Sequence, residues 1–434
     1  MRFTDEEHLY SYIAELITEG NIDFVACPII SPLHAIGVDA LVYDIWQQKK
    51  EKPSGVVVIN DCWTGKFMIS EADFICRNFA TVEFHYLNSG SSIKELTISR
   101  QADLVRKAFD ILAAIRKLKK TDKESKREVR IVTALFPNVF ILRAFRSEEL
   151  ACKYYPIFSL IDEGLGIYLS EKEWRVSDKL LATQGKEPGW FRVTRFLRVK
   201  MMYNAANIMR IIGGKSLTIE KRFLFEQNHG KLIPNRQLAD SYRNILERKG
   251  ALHKRVEKNS PVAILATDPL ATDTLLEDDE ATLTAESSFL EAIINILLER
   301  GFAVVIKPHP NETENRYNYI LTKFKSGQVK LAEQKIAAEI LFSVLKPDCV
   351  IGYDSSSLVY ASIIYNIPAI RITGILRSEV NPNLWPFDFG RKSFESLTKG
   401  ILYSADNFEK LKQILNSIVP SGAANTTIDG DKTA

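Results

Sequence analysis

"CVIGYDSSSLVYASIIYN", residues 349–366, reads as a short apolar strand, a sharp turn and a helix. The run from Cys349 to Gly352 is short enough for a strand and bounded by turn residues. Asp354 or Ser355 is placed to cap the helix that follows, with Ser355 and Ser356 at its first positions. A strand running straight into a helix is half of a βαβ unit, and the same punctuation recurs on both sides. Upstream stand "PVAILATDP", the helix "SSFLEAIINILLERG", the strand "AVVIKP" and the helix "KIAAEILFSVLK"; downstream stands "IPAIRIT". The first third alternates in the same way, from "IDFVACPII" through "SPLHAIGVDALVYDIWQQKK" and "SGVVVIND" to "ATVEFHYLN". Such alternation predicts an α/β chain with two parallel sheets.

At 434 residues the chain exceeds what one hydrophobic core usually supports. The pattern divides it into a Rossmann-like domain over 1–185, a basic inter-domain region over 186–260 and a second Rossmann-like domain over 261–420. Residues 421–434 carry one large apolar side chain, Ile428, and are expected to be a disordered tail.

Composition excludes several classes. No stretch approaches the ~18 consecutive apolar residues of a membrane span. The acidic, amphipathic start "MRFTDEEHLYSYIAELITEG" is unlike a secretory signal and points to the cytoplasm. Five scattered cysteines without a CxxC pair argue against a disulfide framework or a zinc knuckle. A net charge of +3 gives no ground for nucleic-acid binding. "IIGGKS" (211–216) fails as a phosphate loop, because Met209 stands where that motif needs glycine. Asp429 and Asp431 have metal-ligand spacing but sit in the tail, so no metal is expected.

Three constellations carry chemistry. His309 follows a strand directly and is held between Pro308 and Pro310; in doubly wound sheets ligands bind beyond the carboxyl ends of strands. An imidazole there can hydrogen-bond a phosphate or neutralise a leaving group, and Lys307 can add a cation; a turn histidine without a task is the alternative. Ser355 and Ser356 open a helix whose first N–H groups suit an anion, although serine also caps helices that bind nothing. Asp162 and Glu163 close a first-domain strand ahead of Gly164. Burial and mutual repulsion would raise such a carboxylate toward a useful base, and an ordinary acidic turn is the plain alternative. Together they suit glycosyl transfer from a nucleotide donor, with the base on one domain and the phosphate site on the other, across a cleft.

In order and approximate spacing, Asp162-Glu163-Gly164, His309-Pro310 and Ser355-Ser356 resemble the three motifs of the bacterial sialyltransferases, the lipooligosaccharide sialyltransferases and related polysialyltransferases. "IISPLHAIG", "AILATDPL" and "IAAEILFSVL" extend the resemblance, while most of 171–260 matches nothing. The resemblance implies a GT-B fold, two Rossmann-like domains around a cleft, and metal-independent, inverting transfer of sialic acid from CMP-sialic acid to a cell-surface glycan. It implies Asp162 as general base, with Glu163, Gly164, Ser31 and His34 on the acceptor side. His309, Ser355 and Ser356 would hold the CMP phosphate and Glu339 the ribose hydroxyls, with Lys307 and Pro310 also among the donor-binding residues. Asp268, in an Asp-Pro where many members have Gln-Pro, would also line the donor site. Another CMP-activated acidic sugar such as Kdo, or a silent polysaccharide-assembly protein, remains open. Between residues 188 and 219 stand Arg192, Arg195, Arg198, Lys200, Arg210 and Lys215 without an acid, interleaved with aromatics; this fits an anionic membrane surface, an anionic acceptor or a solvated connector.

Overall fold

The computed structural model of the chain describes residues 2–3, 6–20, 22–29, 31–60, 69–87, 110, 113–118, 126–134, 142–143, 145, 147–162, 218–228, 231–251, 260–267, 280–309, 312, 317–325, 327–334, 336–379 and 394–418. They fall into two compact units. The first gathers the described residues of Met1–Leu169, Val193–Glu226 and Asn235–Ile245; the second those of Gln227–Pro234 and Leu246–Ala434.

Unit 1 is built on β1 (Arg2–Phe3), β2 (Phe24–Ile29), β3 (Gly55–Asn60), β4 (Val82–Leu87), β5 (Arg127–Ala134), β6 (Tyr154–Ile161) and β7 (Thr218–Arg222). All pair in parallel, in the order β1-β4-β3-β2-β5-β6-β7. The side-chain period of two divides each strand between two cores. Val25, Cys27, Val56, Val58, Val129, Ile131 and Phe158 face one; Phe24, Ala26, Val57, Ile59, Val132 and Ile161 face the other. A sheet covered on both faces explains why these strands read as unbroken apolar runs.

After a short ribbon of β8 (Phe225–Asn228) and β9 (Lys231–Pro234), unit 2 repeats the plan. Its strands are β10 (Val262–Ala266), β11 (Ala303–Lys307), β12 (Val329–Leu331), β13 (Cys349–Gly352), β14 (Ala369–Arg371) and β15 (Tyr403–Ser404). They pair in parallel in the order β12-β11-β10-β13-β14-β15. Ala263, Leu265, Val304, Ile306, Cys349 and Ile351 point into one core, and Ile264 and Val350 into the other.

Each sheet contains five strands in the dinucleotide-fold order 3-2-1-4-5, with β2 first in unit 1 and β10 first in unit 2. The order reverses between β2 and β5 in one sheet and between β10 and β13 in the other. Crevices at such reversals, beyond the carboxyl ends of the strands, are where these folds take ligands. Two Rossmann-like units of this kind are the composition of the GT-B fold.

The helices and strands read from the sequence are present, with differences. Of the segment 186–260, read as inter-domain, Thr218–Arg222 is a seventh strand of the first sheet and Arg236–Gly250 is a helix. The helix read from "SSFLEAIINILLERG" starts earlier, at Glu280. The basic segment up to residue 217, and the tail 421–434, lie outside the described residues. Among the described residues no helix is long and apolar enough to cross a membrane.

Candidate functional site

The described residues read from the sequence as donor-side lie at or after the carboxyl ends of β11, β12 and β13 in unit 2. β11 ends at Lys307, and the chain turns at once through Pro308 and His309. The half-buried His309 donates its backbone N–H to Glu312 Oε2 (2.7 Å), while Glu312 N–H donates to the His309 carbonyl (3.0 Å). This reciprocal pair closes the turn as a capping box closes a helix start. The Gln334 amide also donates to the His309 carbonyl (2.9 Å). Thr267, the residue after β10, donates its hydroxyl to Glu312 Oε2 (2.6 Å) and accepts from the Tyr317 hydroxyl (2.7 Å). Thr267, Glu312 and Tyr317 are all buried. Pro310 and Asp268 lie outside the described residues.

Lys307 is buried, and its ammonium donates to the carbonyls of Pro308 (2.7 Å) and Gln334 (3.1 Å). Its direct bonds thus go to loop backbone. Burial lowers its pKa from 10.5 to about 8, against the opposing pull of Glu339 and Glu312. A lysine whose folded pKa lies below its unfolded one destabilises the fold fully below about pH 8, and that penalty disappears as pH rises to about 10.5. The stability of the wild type relative to Lys307→Met should therefore rise by about 3 kcal/mol between pH 7.5 and 10.5 in denaturant titrations. A difference independent of pH would contradict the burial of a charged ammonium.

Glu339 lies in the first turn of the helix Ala338–Leu345, where a carboxylate is favoured by the helix dipole, and it is buried. Burial raises its pKa, opposed by its own backbone N–H and by Lys307. The Tyr365 hydroxyl donates to the Glu339 carbonyl (2.9 Å), tying this helix to the helix Ser356–Tyr365.

The latter helix opens as read from the sequence. Ser355 is its N-cap, and the Ser355 hydroxyl accepts from Ser357 N–H (3.4 Å) and shares a hydrogen bond with Ser357 Oγ (2.9 Å). Ser356 is the partly exposed first residue. Gly352 is required just ahead: an added Cβ would stand 2.8 Å from the Ala266 carbonyl oxygen, so only glycine lets β13 run this close to the end of β10. Asp354 would place a negative charge beside the cap, but Arg371 of β14 pairs with both of its carboxylate oxygens and Thr373 donates to it (2.8 Å). The pair is nearly buried, so removing Arg371 alone would leave an uncompensated charge at a cost of about 3–5 kcal/mol. Neutralised in this way, Asp354 leaves the N-terminus of the helix attractive to an anion.

The described residues read from the sequence as acceptor-side belong to unit 1. Asp162 directly follows β6, all eight of whose residues are buried. It is fully buried itself, and Oδ2 accepts from Leu224 N–H (3.0 Å). Beside it lies the buried Tyr242 hydroxyl, kept protonated by burial and by the charge of Asp162, which both raise its pKa. Gly37 makes this approach possible, since a Cβ there would lie 2.8 Å from the Tyr242 oxygen and 3.2 Å from Ile161. Ser31 caps the helix Pro32–Lys49 after β2, at the reversal of strand order, and accepts from His34 N–H (3.3 Å). His34 is fully buried in that helix, and desolvation lowers its pKa to about 3, so it is neutral. Glu163 and Gly164 lie outside the described residues. Among the described residues, no group of three His, Cys, Asp or Glu side chains could hold a metal ion.

Sequence reading missed Thr267, Glu312, Tyr317, Gln334, Ser357 and Arg371. Only Glu312 had a local signal, an acceptor three residues after His309 in a turn.

Known proteins give the site a context. No curated protein matches the chain. Among solved structures it resembles the 2,6-sialyltransferase of Vibrionaceae Photobacterium sp. JT-ISH-224, solved with CMP and lactose, at 13% identity and a TM-score of 0.47 over 88% of this chain and 78% of that one. A sialyltransferase from Photobacterium damsela is similar at 13% identity and a TM-score of 0.45, over 88% and 81%. S. aureus MnaA bound to UDP is similar at 12% and 0.44, over 92% and 88%. Likeness of this degree assigns no activity. The profile of the alpha-2,8-polysialyltransferase (POLYST) family, however, matches residues 29–373, a span that holds every motif described above. The chain belongs to the alpha-2,8-polysialyltransferase family and is a glycosyltransferase, a sialyltransferase that takes a sugar donor and a glycan acceptor.

Proposed function

We propose that the protein transfers sialic acid from CMP-sialic acid to a hydroxyl of a cell-surface glycan, with inversion and without a metal ion. One observation carries this reading. The His309 turn and the serine-capped helix emerge from β11 and β13, the two strands flanking β10 at the reversal of strand order. A phosphate bound there meets backbone N–H groups, serine hydroxyls and an imidazole.

The chemistry divides between donor and acceptor. On the acceptor side Asp162 takes the hydroxyl proton as the oxygen attacks the anomeric carbon, and the bond from that carbon to the CMP phosphate oxygen breaks. Asp162 is fully buried, and in this role the acceptor must reach it. On the donor side His309 and the helix N-terminus meet the charge gathering on the departing phosphate, which needs no divalent ion. Glu339 binds the ribose hydroxyls, Asp268 and Pro310 line the donor, and Lys307 acts through its charge and its hold on the loop. Glu163, Gly164, Ser31 and His34 shape the acceptor side. The family's activity would make the acceptor hydroxyl one on a preceding sialic acid. The basic segment 188–219 would lie on the anionic inner face of the cytoplasmic membrane or meet an anionic acceptor.

Donor choice tests the reading. Purified protein should release CMP from CMP-sialic acid much faster than from CMP-Kdo, at the same rate in EDTA. Faster release from CMP-Kdo would change the donor, and loss in EDTA restored by Mg²⁺ would overturn the metal-free mechanism.

A further inference from the structure

We propose that Glu312 is the positioning residue of the donor site, holding the His309 turn through a buried chain of hydrogen bonds completed by Thr267 and Tyr317. The inference rests on the reading of His309 as a contact of the departing phosphate. Prolines restrict the backbone of this turn, but a proline nitrogen donates no hydrogen bond that would tie it to the neighbouring strand end. Glu312 supplies one, because its Oε2 accepts both His309 N–H (2.7 Å) and the Thr267 hydroxyl (2.6 Å).

The Thr267 hydroxyl donates to Glu312 and accepts from Tyr317 (2.7 Å), its other acceptor, the Lys307 carbonyl, being more distant at 3.4 Å, and the Tyr317 hydroxyl also hydrogen-bonds the Glu312 side chain. The His309 N–H and the Thr267 and Tyr317 hydroxyls thus converge on the Glu312 carboxyl group. Burial disfavours the charge on Glu312, and these donors, with Lys307, oppose that effect. The chain links the end of β10, through Thr267, to the turn after β11 and to Tyr317. A rigid link of this kind holds an imidazole in place when charge moves past it.

The test is a double-mutant cycle on CMP-sialic acid turnover, with CMP-induced thermal shifts as the second readout. Glu312→Ala should lower kcat by about 10²-fold, the scale of a displaced catalytic group. Glu312→Gln keeps an acceptor for His309 N–H and should stay within about 5-fold of wild type. The combined His309→Ala/Glu312→Ala protein should be no slower than His309→Ala, because Glu312 acts through His309. Losses that multiply would make Glu312 a general structural residue and overturn the proposal. Wild-type turnover in Glu312→Ala beside an impaired His309→Ala would overturn it too, leaving the function intact. An unimpaired His309→Ala would instead sink the function on which it rests. If Glu312→Ala does not fold, Thr267→Val decides: a loss seen only when His309 is present supports the proposal, and equal losses with and without His309 overturn it.

Discussion

Asp162→Asn will lower kcat for sialyl transfer by about 10²–10⁴-fold and leave CMP affinity unchanged, the signature of a lost general base. The substitution is nearly isosteric, and its amide oxygen can still accept Leu224 N–H, the contact Asp162 makes at 3.0 Å. The fold around β6 therefore survives, and only the proton acceptor is lost. CMP affinity should not move, because the residues proposed to bind the donor belong to unit 2 while Asp162 belongs to unit 1. Glu163→Gln is the control and should cost less. Reversed severities would transfer the base role to Glu163, whereas near-normal turnover in both variants would refute the mechanism.

His309→Ala should impair binding and catalysis together. A charge-assisted hydrogen bond to phosphate contributes about 2 kcal/mol, or 30-fold in affinity. With CMP at about 100 times the wild-type Kd, linkage stabilises the wild type by about 2.7 kcal/mol; a 30-fold weaker variant gains only about 0.9 kcal/mol, so its melting shift falls to roughly a third. Turnover should fall by about 10²–10³-fold, since the bond strengthens as the phosphate departs. Equal CMP shifts in the two proteins would remove His309 from the site.

The legible parts of this fold are local in sequence. The apolar runs of β11 and β13, the Ser355 cap and the position of Asp162 at the end of β6 each depend on a few neighbouring residues, whose period and turn chemistry are written in order. What was hidden is tertiary. β7 joins the first sheet from 56 positions beyond Asp162, a number given by Thr218 minus Asp162, and its residues Thr218–Arg222 are too polar to read as a buried strand. Thr267 meets Glu312 across 45 positions and Arg371 meets Asp354 across 17, pairings that no period encodes. Lys307 is the instructive case. A cation before a Pro-His-Pro turn reads locally as a phosphate contact, while the bond of its ammonium to the Gln334 carbonyl, 27 positions away, is tertiary and has no local signal.

The most direct test of the central claim is product analysis. Purified protein is incubated with CMP-sialic acid and a panel of galactosides and sialosides, and the products are read by mass spectrometry. Sialyl transfer predicts acceptors heavier by one or more sialic acid residues, CMP released in equal number, and loss of both products in the His309→Ala protein. An absence of sialylated product with every acceptor, or sialylation that persists at the wild-type rate in both Asp162→Asn and His309→Ala, would contradict it.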